Sequence, residues 1–234
     1  MPLTPIFPLE IEETILDLLA EDDKDHSALK TCSLVCQAFL PICRKHIFGS
    51  IVLNDYQTPP STTHALALLL SRTPEIADYV RKFEYTIHVA GLTSPSIQES
   101  LKRISRLKSL TVRHINYGLI FDWSNNPLRP ALLHLLHLPT LTHFKLTGIN
   151  NFVVSDLTPC TNLTYLNIGH DTTCAIEIKF PAALPDHAIQ LNEFVASNGY
   201  WNQRCYYETL YSSTSRWTTS YRFQVSFHDN SYFR

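Results

Sequence analysis

Few residues of this 234-residue chain stand at the spacings that chemistry needs. His134 and His137 lie three apart, on adjacent turns of a helix, whereas a zinc-protease helix carries its histidines four apart around a glutamate. They read as surface histidines. His170-Asp171 follows a predicted strand, and a neighbouring carboxylate can orient an imidazole. Nothing answers it, because no G-x-S-x-G elbow is present to supply a nucleophile and no glycine-rich loop is present to cradle a phosphate. Cys32, Cys36 and Cys43 have no CxxC pair and no partnered histidine motif, and read as buried thiols of a helical core. The expectation is a chain without catalytic residues, cofactor or metal.

Composition narrows the class further. A formal charge of −2 gives no footprint for phosphate binding, so no nucleic-acid partner is expected. Residues 1–6 are too few and uncharged for a secretory leader, and the longest apolar run, Ala65–Leu70, is far short of a membrane span. The expected compartment is cytoplasm or nucleus, with reduced cysteines and no membrane contact. A hydrophobic fraction of 44% suits one sizeable core with a small N-terminal module attached.

That module is the stretch from Phe7 to Phe48. Pro8 can open a helix, and Ile11, Ile15, Leu16, Leu18 and Leu19 follow at helical spacing as one broad apolar face. Glu10, Glu12, Glu13 and Asp17 fill the other face and favour the positive end of the helix dipole. A second helix is predicted from Ser27 as N-cap, carrying Leu29, Cys32, Leu34, Val35, Cys36 and Phe39 until Pro41 interrupts it. Taken alone, these residues also suit an ordinary helical hairpin packed on its own core. As a set they resemble an F-box. The family pattern is Leu-Pro-x-Glu-Leu, an Ile-Leu pair, an apolar second helix ending in Val-(Ser/Cys)-(Lys/Arg)-x-Trp, and a closing Leu-Trp or Leu-Phe. Here Phe7-Pro8-Leu9-Glu10-Ile11, Ile15-Leu16, the run from Ser33 to Phe39 and Ile47-Phe48 occupy those places. Phe7 replaces Leu and Phe39 replaces Trp, both keeping apolar bulk.

The region that follows has a different rhythm. After a short strand at Ile51-Val52-Leu53 and a helix from His64 to Tyr79 broken near Pro74, the pattern apolar-x-x-apolar-x-apolar recurs. It appears at Val80/Phe83/Tyr85, Leu107/Leu110/Val112, Leu141/Phe144/Leu146 and Leu163/Leu166/Ile168, with starts 27, 34 and 22 residues apart. The intervals lie close to the leucine-rich-repeat period of roughly 20–29 residues. Helices are predicted between the strands, Ser96–Leu107 and Pro127–Leu138, with Gly118–Asn126 as an inserted loop. Each strand-helix unit has an apolar face it cannot bury alone, so the units must stack. This region resembles a leucine-rich-repeat array, although Ile115 and Ile149 stand where the family has Asn or Cys, and Asn116 and Asn150 come one place late.

Beyond residue 198 lysine disappears and aromatics crowd, from Tyr200 and Trp201 through Trp217 to Phe233. Tyr221, Phe223, Val225 and Phe227 alternate with polar residues at the period of a half-buried strand. An aromatic recognition surface, a strand capping the array and a poorly folded end all remain open for this tail.

The predicted architecture is α/β, with α+β organisation overall: a helical F-box at 6–49, an irregular leucine-rich-repeat-like strand-helix solenoid at 50–198, and the tail at 199–234. What the resemblance implies is a substrate-recognition adaptor of an SCF-type ubiquitin ligase, docking a Skp-type adaptor and, through it, a cullin-RING ligase. Pro8, Leu9, Glu10, Ile11, Ile15, Leu34, Val35 and Phe39 would lie in or directly behind that contact. Arg113, His114, Lys145, Thr147, Asn167 and His170 would be polar contacts to an unidentified protein substrate on the strand face. A non-catalytic repeat scaffold acting outside ubiquitination is the competing expectation.

Overall fold

The computed structural model describes residues 8–22, 26–54, 62–87, 95–115, 121–169, 172–175, 191–197 and 222–226. Three helices come first: α1 (Leu9–Asp22), α2 (Ser27–Val35) and α3 (Phe39–Ile47). They close on a small core of Leu16, Leu29, Ile42 and Cys43, with Leu19, Cys32, Phe39 and Ile47 packed around it.

The helix boundaries correct the expected ones. Pro8 precedes α1 as its cap: its carbonyl accepts from Ile11 and Glu12 at 3.0 and 3.3 Å, a role in which a missing N–H costs nothing. His26, in the left-handed conformation at φ 55°, holds the cap position of α2, and Ser27 is the first helical residue. The second helix ends at Val35, where Cys36 turns extended, and Pro41 does not interrupt it. Pro41 instead lies in the first turn of α3, where the backbone N–H of any residue would be unpaired.

After α3 the chain runs β1 (Ser50–Asn54), α4 (Thr62–Arg72), a 3₁₀-helix (Pro74–Tyr79), β2 (Lys82–Ile87), α5 (Pro95–Leu101), β3 (Ser109–His114), α6 (Arg129–Leu136) and β4 (His143–Thr147). It continues as β5 (Phe152–Val153), a 3₁₀-helix (Val154–Leu157), β6 (Tyr165–Ile168), β7 (Cys174–Ala175), β8 (Glu193–Ser197) and β9 (Arg222–Ser226). The class is α/β. The described strands β1, β2, β3, β4, β6, β8 and β9 form one seven-stranded sheet in that order, and every neighbouring pair is parallel.

Each predicted repeat supplies one strand, and the pairing keeps equivalent residues level. One rung runs Ile51, Phe83, Leu110, Phe144, Leu166, Phe194 and Phe223; the next runs Leu53, Tyr85, Val112, Leu146, Ile168, Ala196 and Val225. From Phe83 to Phe194 and from Leu53 to Ala196 these side chains are buried beneath α4, α5 and α6, which contribute Leu66, Leu70, Ile97, Leu101, Leu132 and Leu135 to the same core. Two further copies of the pattern, Phe48/Ile51/Leu53 and Leu191/Phe194/Ala196, flank the four read from the sequence.

A relay of backbone carbonyls marks the strand starts. Gly49 accepts from Arg81 and Lys82, Arg81 from Lys108 and Ser109, Lys108 from Thr142 and His143, Thr142 from Thr164 and Tyr165, and Thr164 from Asn192 and Glu193. Each carbonyl therefore takes two N–H groups of the next strand, which pins its register.

Helix α5 stops at Leu101, short of the predicted Leu107, because the bonds from Arg103 to Ser100 and from Ile104 to Leu101 tighten and end it. Ile104 and Leu107 stay buried without being helical. Helix α6 is likewise shorter than the predicted Pro127–Leu138. The described part of the predicted loop is not a surface excursion. Phe121 and Trp123 are buried, and Asp122 bridges Asn150 in parallel. Together with β5 beside β7, this bridge makes a second, minor parallel ladder past the ends of the main strands.

Candidate functional site

Two surfaces hold the residues singled out from the sequence. The first is the outside of the helical module. The apolar face expected on α1 is divided: Leu16 and Leu19 turn into the core, while Ile11, Ile15 and Leu18 stand exposed at positions i, i+4 and i+7, one stripe of the helix. Leu34 and Val35, at the end of α2, are exposed as well. The module has room for only one apolar layer between three short helices, so the excess faces outward. Pro8 and Glu10 are exposed at the start of α1, Phe39 is half-buried behind the surface, and the side chain of Leu9 lies outside the described ones. His46 Nε2 meets Asp17 Oδ1 at 2.6 Å, tying α3 to α1, and Arg44 Nη1 meets Glu75 Oε1 at 3.3 Å, tying α3 to the sheet body.

The second surface is the face of the sheet opposite the helices. Strand alternation puts Lys82, Ser109, His143, Tyr165 and Glu193 on one rung and Glu84, Thr111, Lys145 and Asn167 on the next, with Arg113 beside Thr147 above them. Arg113 pairs with Glu84 at 3.4 Å, His143 stacks on Tyr165 with centroids 5.4 Å apart, and the Asn167 amide donates to the Tyr165 hydroxyl at 3.1 Å. On this face two buried atoms, Arg113 Nε and Asn167 Oδ1, have no hydrogen-bond partner among the described residues. Arg113, Lys145, Thr147 and Asn167 are therefore brought together. His114 is not: it shares strand parity with Leu110 and Val112, is only 8% exposed, and packs against Phe121 at 5.6 Å. His170 lies outside the described residues.

A polar cluster on the minor ladder went unread in the sequence. The Trp123 indole N–H donates to Asp156 Oδ2 at 2.7 Å, and Arg129 Nη2 donates to both Asp156 oxygens at 2.9 and 3.0 Å. His137 contacts the Asp156 carbonyl at 2.8 Å, so this histidine secures a turn. Asp122 accepts from the Ser124 N–H at 2.8 Å and the Asn151 amide at 3.1 Å; Asn150 Oδ1 accepts from Thr173 at 3.1 Å. Burial by itself would push the Asp122 carboxyl up, but the hydrogen bonds from Asn151, Ser124 and Asn125 together hold it below the usual carboxylate range. Burial and the nearby Asp156 carboxylate push the Cys160 thiol up to about 12, leaving it a protonated, unreactive group. The Cys43 thiol is also raised, by burial first and by Cys32 second.

Among the described residues no cluster of three or more His, Cys, Asp or Glu is placed to hold a metal ion, and no helix is long and apolar enough to cross a membrane. Comparison of the chain with protein-family models, with curated proteins and with solved structures finds no match in any of the three.

Proposed function

We propose that this chain is the substrate-recognition adaptor of an SCF-type ubiquitin ligase, its helical module acting as an F-box that docks a Skp-type adaptor. The observation that carries the reading is the stripe of aliphatic side chains left outside a closed module, with Ile15 55% and Leu34 87% exposed. Burying one such side chain gains about 1.5–3 kcal/mol, so a partner that covers several of them has a sufficient driving force. The resemblance of the motif residues to an F-box names the partner class. The in-register parallel strands and their backing helices would serve as a leucine-rich-repeat-like solenoid, presenting Arg113, Lys145, Thr147 and Asn167 to a substrate. The chain would contribute proximity: holding a substrate lysine near the charged ligase makes transfer effectively intramolecular, while bond chemistry belongs to other subunits.

The test is capture of the full chain by recombinant Skp-type adaptor. Wild type is expected to bind at micromolar concentration or tighter, and Ile15→Asp with Leu34→Asp to bind at least a hundredfold more weakly with little change in melting temperature, both side chains being exposed. Absence of wild-type binding at micromolar concentration would overturn the reading.

A further inference from the structure

We propose that the strand-start half of the sheet's polar face binds an acidic peptide segment, one rich in Asp and Glu, and that this is the chemistry of the substrate in the function proposed above, on which the inference rests. Four Lys or Arg side chains among the described residues pair with carboxylates: Arg44 with Glu75, Lys102 with Glu99, Arg113 with Glu84, and Arg129 with Asp156. Lys82, Arg106 and Lys108, all exposed, and Lys145, half-buried, have no ion-pair partner among the described residues.

Topology gathers them. Lys82 opens β2 level with Ser109 and, one strand further, His143; Lys108 immediately precedes Ser109; and Lys145 stands two residues beyond His143 on β4. Neighbouring strands are about 4.8 Å apart and successive residues about 3.3 Å, so the backbone positions of the three lysines lie within about 12 Å of one another, a span that one extended peptide covers. The nearest acid on this part of the face, Glu84, is engaged by Arg113, and Asp78 at the rim accepts a bond from Ser105 at 3.2 Å. The whole chain carries −2, so this local excess of positive charge is a matter of placement.

Two details choose the occupant. Lysines spread over three strands are separate point charges, suited to a run of single carboxylates; one phosphate dianion is better met by guanidinium forks, and Arg113 is already held by Glu84. The buried, unpaired Asn167 Oδ1 needs a donor. A peptide backbone has N–H groups to give, and a phosphodiester backbone has none.

Fluorescence anisotropy with the full chain and labelled deca-glutamate tests this, with deca-glutamine, a phosphoserine peptide and oligothymidylate as the other probes. Deca-glutamate is expected to bind, to weaken as salt rises, and to lose at least tenfold in affinity in Lys82→Glu with Lys108→Glu. Equal binding of deca-glutamine, tighter binding of the phosphopeptide or oligothymidylate, or an unchanged affinity in the variant would overturn the proposal. Should the double reversal lower the melting temperature, Lys82→Gln with Lys108→Gln is read in its place, with a smaller loss in the same direction. Adaptor capture by the wild-type chain is measured alongside. Failure of capture strikes the ligase reading and leaves acidic-peptide binding standing, whereas failure of peptide binding with capture intact strikes this inference alone.

Discussion

Asp156 ties together residues far apart in the chain. Its carboxylate accepts from the Trp123 indole N–H and, on both oxygens, from Arg129 Nη2, and its backbone carbonyl meets His137, so one residue joins Trp123 and α6 to the turn after β5. Trp123 is 1% exposed and stacks edge-on against Phe152 with centroids 5.0 Å apart. Asp156→Ala would leave a buried indole N–H and a partly buried guanidinium without acceptors, and is expected to destabilise the protein by about 1–3 kcal/mol. Urea denaturation followed by tryptophan fluorescence checks it; an unchanged midpoint would show that water replaces the carboxylate without loss. Sequence spacing offered no route to this contact, since 33 residues separate its partners. Long-range polar pairs have no periodicity to read. The apolar residues were legible for the opposite reason: Phe83, Leu110, Phe144 and Leu166 repeat because each faces the same core. The polarity of His114 suggests the open face, but parity decides, and its parity is that of Val112.

At the scale of elements, strands were easier to read than helices. A rigid period of two and a level register leave little freedom, so the four repeats mark the cores of β2, β3, β4 and β6, and the same spacing around Phe194 would have marked β8 had Ala196 been larger. Helix ends depend on capping and tightening that composition only hints at; hence α3, whose Pro41 reads as a breaker until it is seen in a first turn. The second ladder depends on a sharp change of direction after β4. Gly148 makes it at φ 72°, with its α-carbon so close to the His114 carbonyl oxygen that an added Cβ would overlap it. Gly148→Ala is expected to cost at least about 2 kcal/mol, from left-handed backbone in a non-glycine residue together with that overlap. Thermal melting of the variant checks this, and a loss below half that size would mean that β3 and β4 can separate to admit the methyl group.

The molecule as a whole has two cores of very unequal size. The module encloses Leu16, Leu29, Ile42 and Cys43, whereas the sheet and its helices share a continuous interior from Leu53 to Ala196. So few buried side chains cannot offset the ordering of three helices, and Phe48, packed on the larger core, and the Gly49 carbonyl lend them support. An excised segment 1–48 is therefore expected to show weak far-UV helical signal and no cooperative melt, while full-length protein melts with its module intact. A cooperative transition in the excised segment would show that the module stands without the sheet. The strand-start relay has a consequence for how such a chain can change over generations. Because each carbonyl selects its two partners at the beginning of a strand, segments gained or lost between the end of one strand and the start of the next leave every downstream pairing in phase. Unequal connections, the feature that makes the repeat hard to see in the sequence, are then a permitted form of drift, and a frame shift of one residue within a strand is not.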